Sequence, residues 1–142
     1  MGSAFLGLVL DSSAIIAAER KRQPVPDFID VILAAHGENE LSISPVTVAE
    51  IVHGVYRAST SDASRRRRDY IEELIELIPV YPITNRTAWI VGRIEGEEAA
   101  KGNILPFSDL MIAAAAIEQG YGVLILNLLH FQKIPGLAVV KL

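Results

Sequence analysis

Residues 6–13 read Leu6-Gly7-Leu8-Val9-Leu10-Asp11-Ser12-Ser13, and this stretch decides the fold class. The aliphatic run 6–10 suits a strand buried on both faces. Asp11 stops it, and Ser12 or Ser13 is a suitable N-cap for a helix over 14–22. Working outward, Pro24 and Pro26 break the chain, and helical spacing resumes over 27–35 with Phe28, Ile29, Ile32 and Leu33 apolar, until Gly37 ends it. A brief strand is predicted at 41–44 and a helix over 47–56. A further helix, starting at Ser61, Asp62 or Ser64 and running to about Leu77, carries the stripe Ile71, Leu74, Ile75 and Ile78. The remaining elements are a short strand at 80–83, a helix over 85–100 capped by Asn85, and an apolar helix over 107–119. Strands at 123–126 and 138–142 complete the pattern. Strands alternating with helices imply an α/β fold, a central parallel sheet of about four to five strands flanked by helices. With no internal repeat, low-complexity stretch or linker, residues 1–142 are expected to form one domain.

Composition narrows the chemistry. Half of the chain, 51%, is hydrophobic, enough for an ordinary core. There is no cysteine, which removes disulfides, thiolate metal sites and cysteine nucleophiles. The apolar stretches are too short to span a bilayer and the start lacks a basic segment, so a soluble, cytoplasmic protein with no membrane contact is expected. The net charge of −4 disfavours sequence-blind nucleic-acid binding by bulk charge. It is compatible with an enzyme whose carboxylates hold cations that then meet phosphate.

Three carboxylates stand at the ends of elements. Asp11 follows the first strand, and in open α/β sheets ligands bind outside the carboxyl ends of the strands. By position alone, helix capping explains Asp11 equally well. Glu50 lies early in its helix, where a capping box from Thr47 to Glu50 would account for it. Asp109 likewise opens an apolar helix. The combination changes the balance: each acid begins a helix that is otherwise apolar and therefore packed. Carboxylates held together at a sheet edge repel one another, and a hard divalent cation relieves that repulsion. Such a set suits Mg²⁺ better than zinc.

Four motifs occur in order: Leu10-Asp11-Ser12-Ser13; Val48-Ala49-Glu50-Ile51 with Gly54 and Arg57-Ala58; Phe107-Ser108-Asp109-Leu110-Met111-Ile112-Ala113-Ala114; and Asn127, His130-Phe131 and Pro135-Gly136-Leu137. Together they resemble the VapC branch of PIN domains over nearly the whole chain. The resemblance implies a PIN-like fold and a metal-dependent endoribonuclease, the toxin component of a type II toxin–antitoxin system. It implies Mg²⁺, with Mn²⁺ as a substitute. Asp11, Glu50 and Asp109 stand at the family's three principal acidic positions, and Ser12 at the small hydroxyl position beside the first. The fourth position departs. Many relatives carry Thr-x-Asp or Thr-x-Asn there, whereas this chain has Ile125-Leu126-Asn127, with Leu129 where a polar residue is common.

On this resemblance Asp11 and Asp109 are expected to hold the ion and Glu50 to orient or deprotonate the attacking water. Asn127 is expected to position a water or a phosphate oxygen, and His130 to be an accessory donor to substrate phosphate. The implied partners are an RNA substrate, a VapB-like antitoxin whose C-terminal segment lies across the toxin, and a second copy in a homodimer. The changed fourth position keeps an alternative open, a catalytically weak or inactive PIN-like module acting through RNA or protein binding. A phosphotransfer domain with Asp11 as nucleophile fits less well: Ser13 stands where a dehalogenase-like phosphatase needs a second Asp, and Lys141 is a poor receiver-domain lysine.

Other features read more simply. Arg65-Arg66-Arg67-Arg68 spread around a helix and cannot form one patch, so a solvated face with pairs to Asp62, Asp69, Glu72 or Glu73 is expected. The alternative is a phosphate-steering edge. Glu95, Glu97 and Glu98 are expected on a solvent-facing helix, and Trp89, the only tryptophan, in the core or an interface.

Overall fold

A computed structural model describes residues 5–126, 131 and 134–142. The elements are β1 Gly7–Leu10, α1 Ser12–Arg20, α2 Val25–His36, β2 Glu40–Ser42, α3 Pro45–Tyr56, α4 Ser61–Leu77, α5 Asn85–Ala100, α6 Phe107–Gln119, β3 Gly122–Ile125 and β4 Val139–Lys141. All strand pairs are parallel, in the order β2-β1-β3-β4.

Every residue of β1 and β3 is buried, as the aliphatic runs require of strands covered on both faces. Successive side chains alternate between two cores. Leu8, Leu10 and Leu124 enter one layer with Ile15, Phe28, Ile32, Ile51 and Leu74; Val9, Val123 and Ile125 enter the other with Val91, Ile94, Leu110 and Ile112. Gly7 is required by close approach: a Cβ there would stand 2.5 Å from the Glu40 carbonyl oxygen. Gly120, at φ 70°, takes the left-handed conformation that closes α6 and turns the chain directly into β3. No helix among the described residues is long and apolar enough to cross a membrane.

Three expectations are corrected. The segment 80–83 is not a strand. Val80 makes one parallel bridge to Ile43, through Ile43 N–H to Pro79 O at 3.0 Å and Tyr81 N–H to Ile43 O at 2.8 Å. Pro82 has no N–H to carry the ladder further. Helix α5 is capped by Thr84 rather than Asn85, the Thr84 N–H donating to Thr87 Oγ1 at 3.1 Å. On α4, Ile71 and Leu74 are buried, as is Ile78 just beyond it, whereas Ile75 lies outside the stripe and is exposed.

Candidate active site

The strand order reverses between β1 and β3, since the chain leaves β1 toward β2 on one side and the β3–β4 pair lies on the other. A crevice opens at such a point beyond the carboxyl ends of the strands. Asp11, the first residue after β1, is anchored there by its N–H, which donates to Leu124 O at 2.9 Å.

Asp11 is buried and is itself the N-cap of α1, in place of the predicted Ser12 or Ser13. Its Oδ2 accepts from the Ser13 N–H at 3.2 Å and from Ser13 Oγ at 2.6 Å. Ser13 Oγ in turn accepts from the Leu126 N–H at 3.3 Å, which joins the end of β1 to the residue that leaves β3.

The capping explanation of Glu50 fails. Helix α3 begins at Pro45, whose missing N–H costs nothing at a first helical position, and Ser44 Oγ caps it by accepting from Val46 N–H at 3.1 Å. Thr47 is fully buried inside the first turn, and its Oγ1 has no hydrogen-bond partner among the described residues. Glu50 therefore sits in the second turn, with no helix end to satisfy. Although the residue as a whole is exposed, its carboxyl is partly withdrawn from water, and this burial is the largest cause of a pKa raised above the ordinary glutamate value. The negative charge of Asp11 raises it further, a hydrogen bond from the Ser12 side chain opposes the rise, and Asp109 adds to it.

Asp109 is the third residue of α6, partly buried in a first turn whose N-cap, Pro106, offers no side-chain bond. Asp11, Glu50 and Asp109 thus come from three elements into one electrostatic neighbourhood. Among the described residues, however, no three histidine, aspartate or glutamate side chains are gathered closely enough to cage an ion as they stand. The chemistry of the donors fits a divalent ion of the Mg²⁺ or Mn²⁺ kind, since these side chains offer only carboxylate and hydroxyl oxygen. Asn127 and His130 lie outside the described residues.

Beside the acids runs a groove lined by Ile15, Ile16 and Ile51 and by the charged Glu19, Arg20, Glu50 and Arg67. The arginine run is not simply solvated. Arg67 Nη1 donates to Gly54 O at 2.7 Å, and the Arg68 guanidinium lies 5.5 Å from the Tyr56 ring centroid, so both tie α4 to α3. After the bond to Tyr56, the charges of Glu72 and Asp69 also raise the Arg68 pKa, but no direct ion pair of this run forms among the described residues, whereas Lys101 and Glu98 pair at 3.1 Å. Glu98 turns inward rather than to solvent, and its pKa is lowered chiefly by the Asn103 side-chain amide and then by Lys101. Trp89 is 75% exposed and so is not a core residue.

A family model described as PIN domain matches residues 8–133. The chain belongs to the PIN-domain family. Among curated relatives, this PIN domain is 29% identical to Ribonuclease VapC1 of Rickettsia felis over 134 residues, 94% of this chain and 95% of the relative. It is 32% identical to tRNA(fMet)-specific endonuclease VapC of Salmonella typhimurium over 101 residues, 71% of this chain and 74% of the relative. Among solved structures, a DNA-bound VapBC from Salmonella typhimurium superposes with a TM-score of 0.80 at 26% identity, covering 96% of this chain and 98% of that one. Ser13, offered by the sequence as a helix cap rather than as a site residue, makes the bonds at Asp11, and the cap itself is Asp11, as its position at the end of a buried strand had allowed.

Proposed function

We propose that this PIN domain is a metal-dependent endoribonuclease, the toxin component of a type II toxin–antitoxin system, that hydrolyses phosphodiester bonds in RNA. The observation that carries the reading is the meeting of three elements: Asp11 ends β1 where the strand order reverses, and Glu50 of α3, its pKa raised first by burial, also feels the charges of Asp11 and of Asp109 on α6. Ribonuclease VapC relatives and the likeness to VapBC complexes support the same activity.

Asp11 and Asp109 would hold Mg²⁺, directly or through water. When bound, the ion would supply positive charge to the phosphate oxygens and lower the pKa of water. Glu50, shifted upward, lies nearer to the range in which a carboxylate takes a proton from water and returns it, and its role would be that of the base at the attacking oxygen. Ser12 would keep that carboxylate oriented. Asn127 would position a water or a phosphate oxygen, and His130 would donate to substrate phosphate.

The groove beside Glu50 has the apolar lining and charged margin that suit a peptide segment, and a VapB-like antitoxin lying there would cover the acids. Exposed Trp89, Ile104 and Phe107 provide apolar surface for a second copy of the chain. A cytoplasmic location agrees with a cellular RNA substrate.

The test is cleavage of RNA by the wild type with Mg²⁺, by the wild type with EDTA, and by Asp11→Asn with Mg²⁺. Cleavage only in the first supports the mechanism, and equal cleavage in all three refutes it. The absence of a ready-made cage among the described residues favours a second reading, a catalytically weak module that binds RNA or protein. Calorimetry with Mn²⁺ separates the two, because that module would take up no ion.

A further inference from the structure

A hydroxyl group has one proton, and this fixes the direction of the bonds at Ser13. An ionised carboxylate accepts only and a backbone N–H donates only. Ser13 Oγ therefore donates to Asp11 Oδ2 at 2.6 Å and accepts from Leu126 N–H at 3.3 Å. The Ser13 backbone N–H reaches the same carboxylate oxygen at 3.2 Å. Two donors on one oxygen stop the Asp11 carboxylate from rotating and leave Oδ1 outside both bonds. The Leu126 N–H belongs to the first residue beyond β3, across the point where the strand order reverses.

We infer that Ser13 is a positioning residue, which sets the Asp11 carboxylate for the divalent ion and ties it to the segment leaving β3. The inference rests on the metal-dependent reading proposed above. Helix α1 does not need the Ser13 hydroxyl for its start, because the cap bond runs from Asp11 to the Ser13 backbone N–H. The hydroxyl is an addition to the cap. Its two partners are the residue proposed to hold the ion and the chain that leads to Asn127. Ser13 touches neither ion nor substrate in this scheme. Its effect passes through Asp11, as an outer group that orients a metal ligand does.

The experiment compares wild type, Ser13→Ala, Ser13→Thr and Asp11→Asn by calorimetric titration with Mn²⁺, thermal melting in EDTA, and exchange of the Leu126 amide proton in the metal-free protein. Ser13→Ala is expected to weaken Mn²⁺ binding by about 10- to 100-fold, the usual cost of losing an orienting partner. It is also expected to speed exchange at Leu126. Ser13→Thr, which keeps the hydroxyl, is expected to restore both. A merely structural serine would lower the melting temperature of Ser13→Ala and leave the Mn²⁺ affinity of the folded protein unchanged, and that result overturns the inference. If Ser13→Ala does not fold, Ser13→Cys replaces it. A thiol donates weakly, so wild-type Mn²⁺ affinity in Ser13→Cys overturns the inference equally. Mn²⁺ uptake by wild type and Ser13→Ala alike removes this inference alone. No uptake by the wild type removes the metal reading and the inference together.

Discussion

The two ends of strand β1 treat carboxylates differently. At the amino end, where Glu40 of β2 pairs with Gly7, the Glu40 carboxylate accepts from the Tyr121 hydroxyl at 2.7 Å. At the carboxyl end, burial and then the negative charges of Asp11 and Asp109 raise the pKa of Glu50, while the Ser12 and Ser13 side chains donate to Glu50 and Asp11. One strand thus has a hydrogen-bonded carboxylate beside its amino end and an electrostatic conflict at its carboxyl end. Conflict that folding leaves in place is a signature of a functional site, and the divalent cation proposed above would relieve it.

Charge removal at the two ends should break the symmetry most sharply. Asp11→Asn keeps an N-cap, since asparagine caps about as well as aspartate, yet removes a charge proposed to hold the ion. RNA cleavage at saturating Mg²⁺ is expected to fall by at least about 100-fold, at or beyond the upper range for an orienting partner. Glu40→Gln, the matching change at the amino end, is expected to leave the rate within about twofold, because Glu40 has no part in the proposed chemistry; surface changes of this kind stay within about 0.5 kcal/mol in stability. Equal losses in the two variants would mean that the ends do not differ as described.

Glu50→Gln sharpens the point through pH. The folded pKa of Glu50 is raised, so its ionised form is disfavoured in the native state relative to the unfolded chain. The cost is present at neutral pH and disappears as pH falls below the unfolded glutamate value, where both states are protonated. Without metal, Glu50→Gln is therefore expected to melt higher than wild type at pH 7, with the difference shrinking toward pH 4. With Mg²⁺ the gain should vanish or reverse, while cleavage is lost. A lower melting temperature for Glu50→Gln in EDTA at pH 7 would show that the carboxylate is not in conflict.

The fold was legible because its strongest signals are periods rather than boundaries. The aliphatic runs at β1 and β3 left no side of a strand for water, and the apolar helix at 107–119 was bounded by a first-turn acid and a glycine. What escaped was capping, where a shift of one to three residues changes the meaning of a side chain. Asp11, which its position allowed as a cap beside Ser12 or Ser13, begins α1, while Ser44 rather than a residue near Thr47, and Thr84 rather than Asn85, begin α3 and α5. The Ser44-Pro45 pair carried a usable signal, because proline favours the first helical position. Read that way, it frees Glu50 from the capping box. Asp11 and Asp109 were legible from where elements end. Their gathering with Glu50 was expected from the combination of motifs and the resemblance, but its closeness was not legible, since it depends on how α3 and α6 pack against the sheet. Glu98 reversed its expected face for a similar reason, and Trp89 lies outside the core. Helical spacing names a face, and only packing decides which face is covered: Glu98 turns in to the side chains of Lys101 and Asn103, while Trp89 is left outside.

The smallest effect belongs to the amino end and tests whether it is inert toward function. Burial first, and then the bond to Glu40, push the Tyr121 hydroxyl up to about 12. A phenol whose folded pKa is raised loses its contribution to stability as pH climbs from the unfolded value toward the folded one, because the unfolded chain ionises first. Wild type is therefore expected to weaken between about pH 10 and 12, with Tyr70, also raised to about 12, contributing to the fall. Tyr121→Phe removes one partner of an exposed bond, so at pH 7 it should cost about 0.5 kcal/mol, the low end for a hydrogen bond. Its alkaline decline should be shallower than that of wild type, because one of the two titrating hydroxyls is gone. Cleavage of RNA should be unchanged. A Tyr121→Phe variant that melts as wild type does at pH 7 but cleaves more slowly would move function to the amino end of β1, against the contrast drawn between the two ends.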